Sequence, residues 1–207
     1  MAGTQISFVQ PVSGVSSQAV VAAGGLVGGA DRESDEALRG RVLARIQQAP
    51  MGGAQADYVA WALEVPGVTR AWCYPLELGV GTVVVRFVRD GDVSLIPDAG
   101  EVTAVQDYID ERRPVCAQVT VSAPTAAALN LSITITPSSL AVKAAVQAEL
   151  ADVLQREAYP GGTILLSHLR EAISVAAGET NNVLTAPTAD VTHTAGQMPV
   201  LGTITWS

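Results

Sequence analysis

The spacing of hydrophobic residues changes several times along the chain, and each change marks a predicted element. Leu38, Val42 and Ile46 lie four residues apart between positions 34 and 48, which predicts the apolar face of a helix. The first turn of this segment is acidic and its later turns contain arginines, in agreement with the helix dipole. A second helix is predicted from about Ala54 to Glu64, because the Pro-Gly pair that follows stops a helix.

The next two segments alternate with a period of two, which is typical of strands. Strands are predicted over Val68–Tyr74 and over Gly81–Arg89. On the first strand one face would carry Val68, Arg70, Trp72 and Tyr74, and on the second strand one side would carry Val83, Val85 and Phe87. An Asp-Gly turn follows the second strand and separates it from the next helix.

A capping box begins that third predicted helix. Asp98 stands three residues before Glu101, a spacing that lets each side chain bond the other residue's backbone amide. Pro114 prevents the helix from continuing. Alternation then resumes over Val115–Ser122, and the residues expected to face inward are Val115, Ala117, Val119 and Val121.

The pattern restarts after Ala123–Thr125, which we interpret as an internal boundary. Leu129–Thr136 alternates more regularly than any other segment and predicts a half-buried strand. Ser167 is predicted to cap a short helix that ends at Ala177. The remaining predicted elements are a helix from Pro137 to about Ala158 and strands near Val183–Ala186 and Val200–Trp206.

These elements predict an α+β protein. Each half combines strands with helices that cover one side, so we expect two small α+β subdomains, each with a mainly antiparallel sheet covered by helices. The first thirty residues show no clear period and are rich in Gly, Ala and Ser. The predicted division is therefore a flexible arm over 1–30, a first domain over 31–123 and a second over 126–207.

Composition and charge exclude several classes of function. Hydrophobic residues make up 48% of the chain and charged residues 15%, which predicts a folded protein. It is either an ordinary domain rich in Ala and Val or one whose apolar surface is partly buried against partners. The formal net charge of −8 argues against binding to nucleic acid or to an anionic membrane surface. No signal peptide is visible, and the apolar run Val20–Ala30 is too short and too rich in glycine to span a bilayer. Two cysteines are too few for a disulfide framework, so a reducing compartment is expected.

The chain offers few groups for catalysis or for ligand binding. The glycine run Gly24–Gly29 lacks the Lys and Ser/Thr of a phosphate loop, so we interpret it as a linker. His168 and His193 have no Cys or carboxylate at metal-ligand spacing. Cys73 and Cys116 are expected to be buried free thiols in strands. We therefore predict no catalytic, cofactor-binding or metal-binding residues, and no cofactor.

Several segments, read in order, resemble the baseplate J-like proteins of contractile-tail phages. The first contains two glycines and then an acidic Asp-x-Glu-Ser-Asp-Glu stretch that leads into Leu-Arg-x-Arg. The second contains Asp57-Tyr58 and Trp61-Ala62 ahead of a Pro-Gly-Val turn. The segments that carry the resemblance are Gly28–Arg41, Gly53–Val68, Gly79–Val83, Ile109–Val115, Ala186–Asp190 and Leu201–Ile204.

The resemblance implies a structural protein of the baseplate wedge. Such a protein joins neighbouring wedge and hub proteins, and a second copy of the chain is a further candidate partner. It binds no cofactor, nucleic acid, membrane or small-molecule substrate. It would reside in the tail baseplate of a phage, prophage or related injection device, assembled in the bacterial cytoplasm. Family members are usually longer at the amino end, so we expect either a truncated form or a short variant, and Gly178–Thr180 replaces the Gly-Val step expected there.

Two other classes of function compete with the scaffold hypothesis. One is a small hydrolase that uses Cys116 or His168. The other is a tail-associated module that binds a receptor or a glycan through an exposed aromatic platform. Trp61 and Trp72 fit buried faces of their elements, so Trp206 is the candidate for such a platform. Asp110–Arg113 also has two interpretations, a solvated helix end or a contact with a partner protein.

Overall fold

The chain folds into two compact units, residues 1–49 and 50–207. The structure, a computed structural model, describes residues 3–7, 18–23, 32, 34–47 and 51–207. Among these residues no helix is long and apolar enough to cross a membrane.

The first unit contains a short hairpin and one helix. β1, Gln5–Ser7, pairs antiparallel with β2, Gln18–Val20. These strands lie in the predicted arm, and three residues are too few to show a period in the sequence. The glycine run Gly24–Gly29 lies outside the described residues. The predicted first helix is confirmed as α1, Asp35–Gln47, and its exposed apolar side chains are Leu38, Val42, Leu43 and Ile46.

The second unit alternates helices and strands. Its helices are α2 (Gln55–Leu63), α3 (Ala99–Asp110), α4 (Leu140–Glu157) and α5 (Leu166–Val175). Its strands are β3 (Arg70–Pro75), β4 (Thr82–Val88), β5 (Gln118–Val121), β6 (Thr125–Thr136), β7 (Thr163–Ile164), β8 (Asn181–Ala186), β9 (Val191–Thr192) and β10 (Gln197–Trp206). The helices pack against small sheets, so the predicted α+β class is confirmed.

Two three-stranded sheets organise the second unit. The first has the order β3-β4-β5 and the second has the order β10-β6-β8. In each sheet the middle strand is antiparallel to one neighbour and parallel to the other. Across the described residues four of the six strand pairs are antiparallel, two of them in the two-stranded sheets β1-β2 and β7-β9. The predicted boundaries at residues 30, 123 and 126 stay predictions.

The first core lies between one face of the first sheet and helices α2 and α3. Val85 and Phe87 of β4 pack there with Tyr58 of α2 and Ile109 of α3, and all four side chains are almost completely buried. The predicted capping box of α3 is present, since Asp98 accepts from the Glu101 amide at 2.9 Å and its own amide bonds the Glu101 carboxylate at 2.8 Å.

The second core lies between β6, β8 and β10 and the helices α4 and α5. The alternation of β6 is confirmed, because Leu129, Leu131, Ile133 and Ile135 are buried against α4 and α5. Val88 of β4 also belongs to this core. β4 is therefore buried on both faces, with one face in each core.

Two predictions about local structure are wrong. Val115 and Ala117 were expected to face inward in a strand that begins at residue 115, but the strand begins at Gln118 and Val115 is fully exposed. Ser167 was expected to cap α5 but lies inside it. The amide of Leu166 instead bonds the Asp190 carboxylate at 2.8 Å, so a loop distant in sequence supplies the cap.

Asp57 fixes the entry to α2. Its buried carboxylate accepts hydrogen bonds from the backbone amides of Gly53 at 2.7 Å, Ala54 at 2.9 Å and Met51 at 3.1 Å. Burial alone would raise the pKa of Asp57, but these amides outweigh it and hold the pKa below its ordinary value. Gly53 has a φ of 140°, and a Cβ there would lie 2.6 Å from the ring of Pro114, so glycine is required.

We expect Asp57→Asn to lower the free energy of unfolding by about 2 kcal/mol, because the charged acceptor of three amides is lost. The matched control is Asp107→Asn on the exposed side of α3, which should change stability by less than about 0.5 kcal/mol. Urea denaturation at pH 7 measures both. The loss should shrink as the pH falls through the lowered pKa of Asp57, where the wild-type carboxylate is also protonated. Equal effects of the two substitutions would contradict this role.

Candidate interaction site

Arg70 joins the first sheet to the helix that covers the second. Its guanidinium binds both carboxylate oxygens of Asp90, at 2.9 Å through Nε and 2.6 Å through Nη2. Nη1 donates to the carbonyl oxygens of Gln155 at 2.9 Å and Ala158 at 3.1 Å, at the carboxyl end of α4. A cation there also complements the helix dipole. The guanidinium also lies 5.5 Å from the ring of Trp72 on the same strand. Through Asp90 and the end of α4, the Arg70 side chain contacts both halves of the unit.

Asp90 remains ionised beside Arg70. Burial alone would raise the pKa of Asp90, but the hydrogen bonds from Arg70 and Thr69 outweigh it and lower the pKa. The ion pair is only about one-fifth exposed on either side chain, so solvent screens it less than a surface pair.

Arg86 is a second buried cation at the same junction. Only 8% of the residue is exposed, and its Nη1 and Nη2 atoms bind the two Glu77 oxygens at 2.5 and 2.7 Å. The hydrogen bond from Arg86 lowers the pKa of Glu77. The guanidinium lies 5.2 Å from the ring of Tyr74, and a Cβ on Gly196 would lie 3.2 Å from Nη2. Arg86 is thus enclosed between β3 and the loop that leads into β10.

Tyr74 adds a third connection between the two halves. Its hydroxyl donates to the Pro160 carbonyl oxygen at 2.7 Å, just after α4. Burial raises the pKa of Tyr74 to about 12, so the hydroxyl keeps its proton at neutral pH. Arg70, Trp72 and Tyr74 share one face of β3, as the alternation predicted. Val68 was expected on the same face, but it precedes β3 and packs in the first core. Arg70 and Tyr74 on this face hold the second half of the unit.

Arg70, Arg86, Glu77 and Asp90 were not predicted to form a group. One signal was available, because Arg70 and Arg86 interrupt strands that are otherwise apolar or aromatic. A charged residue inside a buried strand needs a partner. The partners Asp90 and Glu77 lie in the turns beyond the strand ends, and the sequence pattern does not reveal that pairing.

The two histidines contact different parts of the second unit. Nδ1 of His168 lies 2.6 Å from a Glu157 oxygen, so the side chain links α5 to the end of α4. His193 is buried, and its Nδ1 lies 3.1 Å from the Gly162 carbonyl oxygen. Among the described residues, no three His, Cys, Asp or Glu side chains form a group that could hold a metal ion.

The cysteines and Trp206 do not form a shared site. Cys73 is half-buried, and burial raises the pKa of its thiol to about 11, which disfavours the nucleophilic thiolate. Cys116 is exposed in the turn before β5 rather than buried in a strand, as had been expected. Trp206 is half-buried against the second core, and the Lys143 ammonium lies 5.6 Å from its ring. It is therefore not an open aromatic platform.

The structure thus presents a rigidly joined α+β unit with docking features at its surface. A shallow groove of about 330 Å³ runs along β3, between α2 and the end of α4. β3 and β5 are the edge strands of the first sheet, and β8 and β10 are those of the second. An edge strand can pair with a strand of another protein. These features define a class of protein that acts through its shape and its contacts.

Comparison with known proteins gives the family. Residues 50–123 match the Baseplate J-like central domain, and residues 129–207 match the Baseplate J-like protein C-terminal domain. The chain belongs to the baseplate J-like family, as the sequence resemblance predicted.

Three relatives extend the similarity to almost the whole chain. JayE of Escherichia coli (strain K12) is 40% identical over 99% of this chain and 78% of its own length. The Mu-like prophage FluMu protein gp47 of Haemophilus influenzae is 37% identical over 99% of this chain, and baseplate protein gp47 of Escherichia phage Mu is 36% identical over 98%. This chain spans 60% and 59% of the lengths of those two proteins.

A solved structure shares the fold. A chain in the cryo-EM structure of the anti-feeding prophage baseplate, 6-fold symmetrised, superposes with a TM-score of 0.58. The match covers 97% of this chain and 48% of the other, at 16% sequence identity. At that identity the likeness concerns the fold.

We expect Arg70→Met to lower the free energy of unfolding by about 2 kcal/mol, because Asp90 and two carbonyl groups lose their donor in a partly buried site. The matched control is Arg156→Met, which removes an exposed ion pair with Asp152 on α4. It should cost less than about 0.5 kcal/mol. Urea denaturation measures both, and similar losses in the two variants would contradict a role for Arg70 in joining the halves.

The bond to Glu157 should make His168 titrate above its ordinary range. The hydrogen bond and the charge of Glu157 both raise the pKa of His168. Because the folded pKa is the higher one, the bond stabilises fully below about pH 6.5 and is lost as the pH rises through the folded value. NMR titration should show a lower pKa for His168 in Glu157→Gln than in wild type. An unchanged His168 pKa would contradict the assigned contact.

Proposed function

We propose that this chain is a structural component of the baseplate of a phage-type contractile tail. The observation that carries the proposal is the family match, which spans both halves of the second unit. The phage Mu relative bears the name baseplate protein, and the structural neighbour comes from a baseplate. The rigid junction at Arg70 and Arg86 suits a part that must hold its neighbours at fixed positions.

The chain functions by docking to other baseplate proteins of the wedge and the hub. Exposed apolar side chains on α1, the groove along β3 and the free strand edges supply contact surfaces. The low content of charged residues favours contacts that bury apolar surface. The net charge of −8 disfavours nucleic acid and anionic membrane as partners. The protein is assembled in the host cytoplasm and resides in the tail baseplate of the particle.

The function requires no catalysis and no cofactor. The bonds described for the histidines serve to connect elements, and the raised pKa of Cys73 keeps its thiol protonated at neutral pH. The competing hydrolase hypothesis uses Cys116 or His168, which lie in different halves of the unit. The glycan-binding hypothesis uses Trp206, which is half-buried beneath Lys143. Neither arrangement favours those alternatives.

Disruption of the gene should abolish baseplate assembly. Negative-stain images of particles from the disrupted strain should show tails or tail parts without a baseplate, and a plasmid copy of the wild-type chain should restore it. A plasmid copy with Cys116→Ala and His168→Ala should restore assembly equally, because the scaffold needs neither group for chemistry. Complete baseplates in the disrupted strain would contradict the proposal, and failure of only the double variant, if it folds, would favour the hydrolase hypothesis.

A further inference from the structure

Four large apolar side chains are exposed together at one end of the first sheet. The loop that joins β3 to β4 presents Leu76, Leu78 and Val80, which are 62%, 63% and 98% exposed. Val115, in the turn before β5, is 100% exposed. This turn lies beside the loop, because the amide of Gln118 bonds the Gly81 carbonyl oxygen at 3.1 Å. Leu76, Leu78, Val80 and Val115 are called the apolar tip below.

Internal hydrogen bonds hold the loop of the apolar tip in one conformation. The Leu76 amide donates to the Thr82 carbonyl oxygen at 2.9 Å, and the Gly79 amide donates to the Leu76 carbonyl oxygen at 3.1 Å. The Thr82 hydroxyl donates to the Gly79 carbonyl oxygen at 2.7 Å and accepts from the Leu78 amide at 3.2 Å. A loop with these bonds loses little conformational entropy when it binds, which favours its use as a contact.

Two features show that the exposure of these side chains is built into the loop. Glu77 turns inward to the buried Arg86, while its neighbours Leu76 and Leu78 stay exposed. Leu76 has a φ of 63°, a left-handed conformation that a bulky residue rarely adopts. Glycine or asparagine would satisfy that backbone without strain. A loop that only reversed the chain would have no need of leucine at this position.

Charged residues next to the apolar tip in the sequence are paired with opposite charges, although the unit as a whole is acidic. Glu77 in the loop pairs with Arg86, and Asp110 and Glu111, shortly before Val115, pair with Arg113 and Arg112. Residues 1–49 contain equal numbers of acidic and basic side chains, so residues 50–207 carry the whole net charge of −8. Two copies brought together would therefore repel each other, whereas an uncharged apolar surface would meet the tip without penalty.

We propose that the apolar tip is a docking surface that inserts into an uncharged, apolar pocket of a different protein of the assembly. The proposal rests on the proposed function and names the contact that carries part of it. Burial of exposed leucine and valine side chains in an apolar pocket removes apolar surface from water and so stabilises a complex. The tip supplies these side chains, and the paired charges next to it in the sequence favour a partner pocket without charge.

The test replaces two apolar side chains of the tip and leaves the backbone conformation of the loop unchanged. In Leu76→Asn with Val80→Thr, asparagine tolerates the left-handed backbone and threonine keeps the shape of valine, so folding should be retained. The matched control is Val93→Thr with Leu140→Gln, which removes two apolar side chains outside the tip that are even more exposed. Tagged chains are supplied to the gene-disrupted strain, particles are purified, and the chain is quantified per particle. Thermal unfolding of the purified chains checks stability.

Incorporation of the tip variant should fall at least roughly tenfold, because two apolar side chains are no longer buried, while its thermal midpoint and the incorporation of the control stay at wild-type values. Equal incorporation of the tip variant and wild type would overturn the docking surface and leave the proposed function standing. Absence of the wild-type chain from purified particles would overturn both. The two failures are therefore distinguishable.

A photo-cross-linker identifies what lies against the apolar tip, even if the double variant proves unstable. Benzoylphenylalanine replaces Val80 in one otherwise unchanged chain and Val93 in another. Particles assembled with each chain are irradiated. Cross-links from position 80, and not from position 93, to an apolar segment of another particle protein would support the proposal. Cross-links from position 80 to a second copy of this chain, to a charged segment, or to nothing would overturn it.

Discussion

The arrangement of the second unit depends on two arginines placed on the same face of one sheet. Arg70 and Arg86 project from neighbouring strands toward the second half, where Arg70 meets the carbonyl groups at the end of α4 and Arg86 meets the backbone of Gly196. A guanidinium presents several donors in a fixed plane, so it can bind a carboxylate and two carbonyl groups at once, which a lysine ammonium does less well. The orientation of the halves is thus fixed by directional bonds in addition to apolar packing, which alone tolerates sliding.

Elements whose residues contact their own helix or strand neighbours could be predicted from the sequence. β6 and α4 show regular periods because each has one buried face, and the capping box of α3 is a local motif of four residues. β4 is different, because its run of valines is buried on both faces and only one face could be assigned. The cap of α5 comes from Asp190, which a local rule that favours Ser167 cannot anticipate. The β1–β2 pair is too short to show any period.

The candidate site was predictable only in part, because its contacts join residues that are far apart in the sequence. The alternation placed Arg70, Trp72 and Tyr74 on one face, but their partners lie far along the chain. The family resemblance identified Asp57, Tyr58 and Gly53 without a role. The structure gives each of them a structural role. Asp57 binds three backbone amides, and Gly53 makes room for the ring of Pro114. Tyr58 fills the first core and packs edge-on against Trp61, with ring centroids 5.1 Å apart. Val115 was misplaced because an apolar side chain in an alternating segment is normally buried.

The exposed apolar tip, which includes Val115, is linked to the junction between the two halves of the unit. Apolar residues that a folding argument would bury are exposed at the end of the first sheet, and the strain at Leu76, about 1 kcal/mol for a bulky left-handed residue, opposes folding rather than assisting it. The same loop contains Glu77, which pairs with Arg86 beside the second half. The exposed side chains are therefore held in a fixed geometry relative to both sheets. Because Arg86 in turn lies against Gly196, a neighbour bound to that loop would be held at a fixed position relative to both halves.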